Sequence, residues 1–270
     1  MKILHLVHQY LPEHVGGTEL CTQMLARQQV AAGHEAAVFF PSTQRTSLEP
    51  TTEAGVRVYG APIGQRSGNQ VFAQTMRGGG DLLAAWRHVL AREQPDLVHI
   101  QHLMGLPPAL VGELHGRIPY LVTLHDYWYG CANAQLFTND GQENCHGPRY
   151  FINCGRCALA RAGVRQTWLA PAVAPLLAYR QKLLRPILTG AAAVISPTRF
   201  VQNMYRQMGF PLPHAAHIPH GIEISPAQLA EAQSQPQPNQ LHLVYSGGLA
   251  PQKGLHTLVQ AFNSLPPRPR

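Results

Sequence analysis

Short apolar runs that alternate with amphipathic helical segments constrain this chain more than any other feature. Residues 2–8 and 34–40 are apolar runs of strand length, and the segment between them, about 18–32, has its apolar residues at helical spacing. Strands covered on both faces are apolar along their whole length, so the pattern predicts an α/β fold with a mainly parallel, Rossmann-like sheet and helices on both faces. Further predicted strands lie at 56–59, 96–102, 119–126 and 191–198, and a last strand and turn at 217–223. Further helices are predicted at 81–94, 107–115, 164–189 and 199–208.

The domain organisation follows from a change in composition near residue 225. Residues 1–224 contain one complete set of alternating strands and helices, whereas residues 225–240 are rich in Pro, Gln and Ala, which is typical of a linker. Residues 241–270 contain an apolar run, a glycine-rich turn and an amphipathic helix. This segment is predicted to begin a second Rossmann-like domain that is incomplete here. One strand and one helix cannot bury their apolar faces alone, so we expect residues after about 240 to pack poorly.

Composition narrows the range of functions. The 270 residues are 45% hydrophobic and carry a formal net charge of +7, which favours phosphate-bearing ligands or an anionic lipid surface. Dense basic blocks with interleaved aromatic residues are absent from the sequence, so nucleic acid is not an expected partner. The first apolar run is too short for a signal peptide, and five cysteines without an export signal argue against a disulfide framework. We therefore expect a cytoplasmic protein.

Gly16 and Gly17 lie between the first strand and the first helix. Two glycines let backbone N–H groups approach a ligand closely, and the helix N-terminus behind them favours a phosphate. The motif is not G-x-G-x-x-G and follows the strand by about eight residues, which argues against a nicotinamide oxidoreductase. Taken alone, it is equally consistent with a flexible loop that enters a helix.

Histidines stand where strands are predicted to end. His99 and His102 close one strand and His125, followed by Asp126, closes another. The carboxyl ends of parallel strands converge on one crevice, where neutral imidazole can hydrogen-bond hydroxyl groups. A buried structural histidine is the alternative for each of them except His125, whose motif context is stronger. Lys253 begins a helix in the last segment and is suited to a diphosphate, although it is also compatible with a solvated cation.

Four cysteines lie within 27 residues of a segment, 127–160, that we predict to be an insertion, with an ordered loop from Tyr127 to Cys157. Four thiolates could hold a structural zinc ion and order the loop. The spacings are irregular for a zinc ribbon, so free cytosolic thiols and a redox role are the alternatives. The candidate ligands are Cys131, Cys145, Cys154 and Cys157.

A basic helical region follows the insertion. Its helix over 164–189 is predicted to be broken or kinked by Pro171, Pro175 and Pro186. The region fits either a peripheral contact with the inner face of the plasma membrane or a core-facing helix with a solvated cationic side. It combines Trp168 and several leucines with Arg161, Arg165, Arg180, Lys182 and Arg185.

Taken together, six motifs resemble those of the family 4 retaining glycosyltransferases, which have the two-domain GT-B fold. The motifs occur in the family's order and extend over nearly the whole chain. They are GGTE (16–19), DLVHIQH (96–102), TLHDYW (123–128), VISPTRFVQNMY (194–205), HIPHGIE (217–223) and SGGLAPQKG (246–254).

The resemblance implies transfer of a sugar from a nucleotide-sugar to an acceptor hydroxyl with retention of configuration, and no metal is required for catalysis. It places the loop at Gly16 and Gly17 over the donor diphosphate, His125 against the transferred sugar and Lys253 against the leaving diphosphate. The acceptor would be a glycan or a lipid-linked sugar in bacterial glycan or polysaccharide synthesis. Other candidates on the acceptor or sugar side are Glu19, His102 and Asp126.

The sequence departs from the family pattern in two places. The family usually has a phosphate-binding arginine where this chain has Gly248, and its downstream glutamate-rich motif is missing. We therefore expect the chain by itself to be inactive. Two alternatives stay open, namely a non-catalytic carbohydrate- or nucleotide-binding module and a metal-binding interaction domain built on the cysteine loop.

Overall fold

The computed structural model describes residues 1–76, 79–233 and 243–265. The chain divides into two compact units, Met1–Ile222 and Glu223–Arg270.

The first unit is built on one eight-stranded sheet with the order β3-β4-β2-β1-β5-β6-β7-β8. All neighbouring strands are parallel except β3 and β4, which form an antiparallel hairpin at one edge. The predicted parallel, Rossmann-like sheet is therefore confirmed. The strands are β1 Lys2–Leu6, β2 Glu35–Ser42, β3 Thr51–Glu53, β4 Val56–Pro62, β5 Leu97–Ile100, β6 Tyr120–Thr123, β7 Ala193–Ser196 and β8 Ala215–His217.

Two features of the sheet differ from the prediction. The hairpin of β3 and β4 was not predicted; its two-residue turn has Ala54 and Gly55 at positive φ, the conformation that tight hairpins require. The last strand lies earlier than the strand and turn predicted over 217–223, because it begins at Ala215 and ends at His217.

Helices cover both faces of the sheet. In the first unit they are α1 Gly17–Ala31, α2 Gly68–Gln74, α3 Gly80–Glu93, α4 Ala109–Gly112, α5 Ile152–Arg161, α6 Ala170–Thr189 and α7 Arg199–Gln207. In the second unit they are α8 Pro226–Gln233 and α9 Leu255–Asn263. None of the helices in these described ranges is long and apolar enough to cross a membrane.

The segment after β6 is more helical than predicted. Helix α5 begins inside the predicted loop, and Gly155 allows this helix to approach α6, because a Cβ at that position would lie 2.5 Å from the Ala170 carbonyl oxygen. Helix α6 is continuous through Pro175 and Pro186, so the predicted break is wrong. Pro171 lies in its first turn, where a missing N–H costs no helical hydrogen bond.

The two faces of the sheet carry separate cores. Phe39 of β2 packs against Trp86 of α3, with ring centroids 5.0 Å apart, whereas Val38 and Phe40 belong to a second cluster with Ala26 of α1. Alternate residues of a strand point to opposite faces, so α1 covers the face that carries Val38 and Phe40.

The second unit has little buried surface. Its apolar side chains are largely exposed, with Val244 at 88% and Leu249 at 83%. Residues 243–246 of the predicted strand are not in a strand, and Leu241 and His242 lie outside the described residues. Helix α8 lies within the predicted linker, 225–240.

Candidate functional site

A row of polar side chains lies on the face of the sheet that α1 covers. His5 of β1 and His99 of β5 are register partners, and their rings are 5.3 Å apart. His99 Nε2 lies 2.8 Å from the Thr123 hydroxyl on β6. Because side chains alternate along a strand, Gln101 and His125 extend the row two residues beyond His99 and Thr123. The row therefore ends at the carboxyl edge of the sheet.

A chain of hydrogen bonds connects His125 to α1. His125 donates from Nε2 to the Gln101 side-chain oxygen at 2.8 Å, and the Gln101 amide donates to His5 Nδ1 at 3.1 Å. His5 in turn donates from Nε2 to the Gln29 side-chain oxygen at 2.8 Å. This direction of donation places the proton of His125 on Nε2 and leaves a lone pair on Nδ1.

The imidazoles of this row are neutral at pH 7. Burial lowers the pKa of His5 to about 4 and holds the pKa of His99 well below its usual value. Burial, followed by the nearby His220 and His102, lowers the pKa of His125 to about 3, while Asp126 acts in the opposite direction. His125 therefore offers a neutral donor and a neutral acceptor.

His102 and Asp126 form a hydrogen-bonded pair next to this row. His102 Nδ1 accepts from the backbone N–H of Met104 at 3.1 Å, so the proton is on Nε2, which donates to Asp126 Oδ2 at 3.1 Å. Asp126 Oδ1 accepts from the backbone N–H of Trp128 at 2.8 Å. Both carboxylate oxygens of Asp126 are thus engaged within the protein, and the residue holds the start of the insertion.

The glycine motif begins α1. Gly16 is the N-cap and Gly17 the first helical residue. A Cβ on Gly16 would lie 2.6 Å from Glu19 Oε2, whereas a Cβ on Gly17 would meet no atom within 4 Å. Glu19 therefore folds back over Gly16, and the space beside Gly17 is open.

His8 connects the glycine motif with the histidine row. Its Nε2 lies 3.9 Å from Glu19 Oε1, and its ring centroid is 4.3 Å from that of His102. Burial and the neighbouring His102 and His125 hold the pKa of His8 well below its usual value, so its contact with Glu19 is not an ion pair at pH 7. The fold of the first unit thus brings its predicted site residues together, apart from those of the cysteine loop.

Lys253 belongs to the second unit. It ends a short 3-10 turn, Pro251–Lys253, and Gly254 follows with φ +73°. The partnership of Lys253 with the glycine motif and His125 stays a prediction.

Four residues beside His125 were not predicted. The His220 ring stacks on the His125 ring, with centroids 4.8 Å apart and planes at 17°, and its Nδ1 lies 3.5 Å from Cys21 Sγ. Gln101 and His5 are the other two residues that were not predicted. The sequence contains a signal for Gln101, since it follows His99 by two residues just as His125 follows Thr123.

The cysteine loop contains free thiols. Cys157 Sγ accepts from the backbone and side-chain N–H groups of Asn139 at 3.3 and 3.2 Å, and Cys145 Sγ lies 3.4 Å from the Gly147 backbone nitrogen. Among the described residues, the group of potential metal ligands whose ligand atoms lie within 4.8 Å of one another is outside this loop. It consists of Cys21, His125 and His220. Zinc binding by the loop stays a prediction.

Arg180 does not lie on a solvated cationic surface as predicted. It is buried, donates to the Trp128 carbonyl at 2.6 Å, and has its guanidinium 4.6 Å from the centre of the Trp128 ring. Burial lowers its pKa to about 10, so it remains charged at pH 7. Trp168 is 75% exposed.

A cleft of about 280 Å³ opens beside His8, between the loops that follow β1, β2 and β4. Polar and apolar residues both line it, and the polar ones are more numerous. The lining includes Glu13, Thr43, Gln65 and Arg66.

Comparison with known proteins identifies the family. The family model described as glycosyl transferase 4-like domain matches residues 16–221. No curated protein sequence matches the chain significantly.

Among solved structures, a sucrose-phosphate synthase shares the fold. A sucrose-phosphate synthase from Thermosynechococcus elongatus is similar to 98% of this chain with a TM-score of 0.63 and 17% identity, and this chain spans 60% of its length. HepE from Anabaena, solved in complex with UDP-glucose, is similar to 99% of the chain with a TM-score of 0.49 and 19% identity, and the chain spans 58% of its length. The family match covers most of the first unit, and the sheet is the one expected for GT-B enzymes. The chain therefore belongs to the glycosyl transferase 4-like family.

Proposed function

We propose that this chain forms the acceptor-side part of a retaining glycosyltransferase, which transfers a sugar from a nucleotide-sugar to an acceptor hydroxyl in bacterial glycan synthesis. The observation that carries this proposal is the state of His125, a neutral imidazole whose Nε2–H is held by Gln101 at 2.8 Å. Its Nδ1 lone pair is left to accept a hydrogen bond from a sugar hydroxyl at the carboxyl edge of the sheet.

The donor diphosphate would need a different environment from the sugar. Backbone N–H groups at the start of α1 and the positive end of the helix dipole suit a phosphate, and the space beside Gly17 is open. In the transition state, negative charge grows on the leaving diphosphate, and Lys253 is the cation that we propose to stabilise it. Catalysis by these groups needs no metal ion.

We assign the acceptor to the cleft beside His8. Its side chains offer both hydrogen-bond donors and acceptors, which fits the hydroxyl groups of a glycan or a lipid-linked sugar. Glu13 is held in place there, because its Oε2 accepts from the Thr43 backbone N–H at 3.0 Å.

The decisive test compares His125→Ala with the matched variant His88→Ala, whose histidine is exposed on α3. The chain by itself is expected to be inactive, so both substitutions are made in the chain joined to a complete donor-binding domain. Release of nucleoside diphosphate from a panel of nucleotide-sugars and glycan acceptors is measured, and NMR reports the anomeric configuration of the first product. Loss of one hydrogen bond to the sugar should lower the transfer rate of His125→Ala about 10- to 100-fold. His88→Ala should match the wild type.

Equal transfer rates for His125→Ala and the wild type would overturn the assignment of His125. An inverted product would overturn retention. Saturable binding of sugars without any turnover would favour the non-catalytic carbohydrate-binding module.

We also propose that the outer side of α6 touches the inner face of the plasma membrane, where lipid-linked acceptors are found. Leu176 and Tyr179 are exposed there beside Lys182, and Trp168 is exposed in the turn just before α6. Co-sedimentation with anionic liposomes tests this contact. Trp168→Ala should weaken it, and sedimentation that is indifferent to anionic lipid would exclude it.

A further inference from the structure

We infer that Cys21, His125 and His220 form a three-ligand zinc site, and that bound zinc competes with the sugar for His125. The second half of this inference rests on the proposed function, whereas the first half does not.

The three side chains lie close together, and a turn of the His220 ring would let all three bind one zinc ion. One potential ligand atom from each residue lies within 4.8 Å of the others, and Cys21 Sγ is 3.5 Å from His220 Nδ1. With Zn–S near 2.3 Å and Zn–N near 2.0 to 2.1 Å, tetrahedral coordination places sulfur and nitrogen about 3.5 Å apart. Thiolate and imidazole ligands suit zinc rather than magnesium or calcium.

The surroundings of His125 are also those of a metal ligand. A coordinating imidazole usually donates its other ring N–H to an acceptor that fixes its orientation. His125 donates from Nε2 to the Gln101 side-chain oxygen, and Gln101 is itself held by His5. The hydrogen-bond chain that starts at α1 therefore directs the Nδ1 lone pair of His125 outward.

Three separate parts of the fold supply the ligands. Cys21 lies four residues after Gly17 in α1, His125 follows β6, and His220 follows β8. His220 is exposed, so its ring is able to turn out of the stack with His125. This rotation is necessary because a metal ion lies in the plane of each imidazole that binds it.

Binding exchanges one proton for one zinc ion. A cysteine binds zinc as its thiolate and a histidine binds it as a neutral imidazole. Zinc displaces the thiol proton, which passes to solvent, and the complex carries a net charge of +1. The fourth position stays open to water.

Zinc at this site would inhibit transfer. The lone pair of His125 cannot bind zinc and accept a hydrogen bond from the sugar at the same time. A reversible, zinc-dependent loss of activity is therefore expected.

Cobalt(II) titration tests binding directly, because a cobalt–thiolate bond gives a near-ultraviolet absorption band. The chelator-treated Cys154→Ser/Cys157→Ser variant serves as the background, since it removes two thiols of the cysteine loop. In this background we expect about one equivalent of cobalt with a thiolate band. Adding Cys21→Ser should abolish the band, adding His220→Ala should weaken binding at least about 10-fold, and adding His88→Ala should have no effect.

An unchanged band after Cys21→Ser would overturn the site. If circular dichroism shows that the background variant does not fold, the cobalt titration is replaced by competition for zinc against a chromophoric chelator. In that assay, single Cys21→Ser and His220→Ala variants must each lose one equivalent relative to the wild type.

Activity separates the two halves of the inference. Activity is measured on the chain joined to a complete donor-binding domain, where zinc should inhibit transfer. Cys21→Ser should keep more of its own zinc-free rate at the same zinc concentration. Cobalt binding without inhibition by zinc would overturn the competition and leave the site standing. Absence of transfer by this joined protein would count against the proposed function, while the cobalt measurement would still decide the site.

Discussion

The side-chain oxygen of Gln101 accepts a hydrogen bond from His125 Nε2 at 2.8 Å, and this contact determines which nitrogen of the imidazole carries the proton. Neither residue lies within a strand, yet each continues the alternation of the strand before it. Through this contact, the chain of hydrogen bonds extends from His125, the outermost imidazole of the row, to the buried His5 and from His5 to α1.

Replacing Gln101 should change the hydrogen bonding and the pKa of His125, although the His125 side chain itself is not mutated. Gln101→Leu removes the acceptor for His125 and leaves His5 Nδ1 without its donor, which should cost about 1–3 kcal/mol of stability. Gln101→Glu places a negative charge beside the imidazole and should raise the pKa of His125. NMR titration of the His125 ring measures that shift. A pKa unchanged in Gln101→Glu would show that the two side chains are not in contact in solution.

Gly17→Ala should weaken binding of nucleoside diphosphates without unfolding the protein. The added Cβ meets no protein atom within 4 Å, so any effect comes from a ligand in that space. Gly68→Ala is the matched control, because Gly68 also begins a helix and a Cβ there also meets nothing within 4 Å. Calorimetry should show binding weakened about 10-fold for Gly17→Ala only. Equal affinities for the two variants would remove Gly17 from the diphosphate site.

Acid should destabilise the protein through its buried histidines. The pKa of His5 is about 4 in the folded state and near 6.5 when unfolded, so between these values the unfolded chain binds more protons. Stability is therefore fully present above pH 6.5 and falls as pH decreases toward 4, by up to about 1.4 kcal/mol per pH unit for one such group. Urea unfolding between pH 7 and 4.5 measures this slope. His5→Gln should flatten it more than the exposed-site control His88→Gln, and an equal slope in both would contradict the assignment.

The cysteine loop should bind about one equivalent of zinc in addition to the site at Cys21. Its hydrogen bonds from N–H groups to Cys145 and Cys157 suit thiolate sulfur. Among the described residues, no carboxylate lies within 4 Å of the buried Arg180 guanidinium. The nearby Cys131 and Cys154 sulfurs act to raise the pKa of Arg180. The net negative charge of a four-thiolate zinc site would balance this cation.

Elemental analysis of reduced, unchelated protein checks the loop. Cys154→Ser/Cys157→Ser should lose one equivalent of zinc, whereas Cys21→Ser should retain the loop's ion. Protein without any zinc would dismiss this hypothesis.

Local patterns predicted the regular part of the fold. Apolar runs such as 2–8 and 34–40 lie in buried parallel strands, because a strand covered on both faces needs apolar residues at nearly every position. Helix α5 was missed, since its first turns are rich in Asn, Gly and Cys and its formation depends on the close approach that Gly155 allows to α6. The continuity of α6 through two prolines likewise depends on packing.

The sequence by itself determined the alternation of the main strands and helices, the glycine motif before α1 and the placement of histidines at strand ends, because all of these depend on neighbouring residues along the chain. Only the tertiary structure decided that His5, Gln101 and His125 share one hydrogen-bond chain, that Cys21 and His220 meet beside it, and that Arg180 is buried. These relationships join residues up to 199 positions apart in sequence. They depend on which strands are adjacent and on the helix that covers them, and no local pattern of residues specifies either.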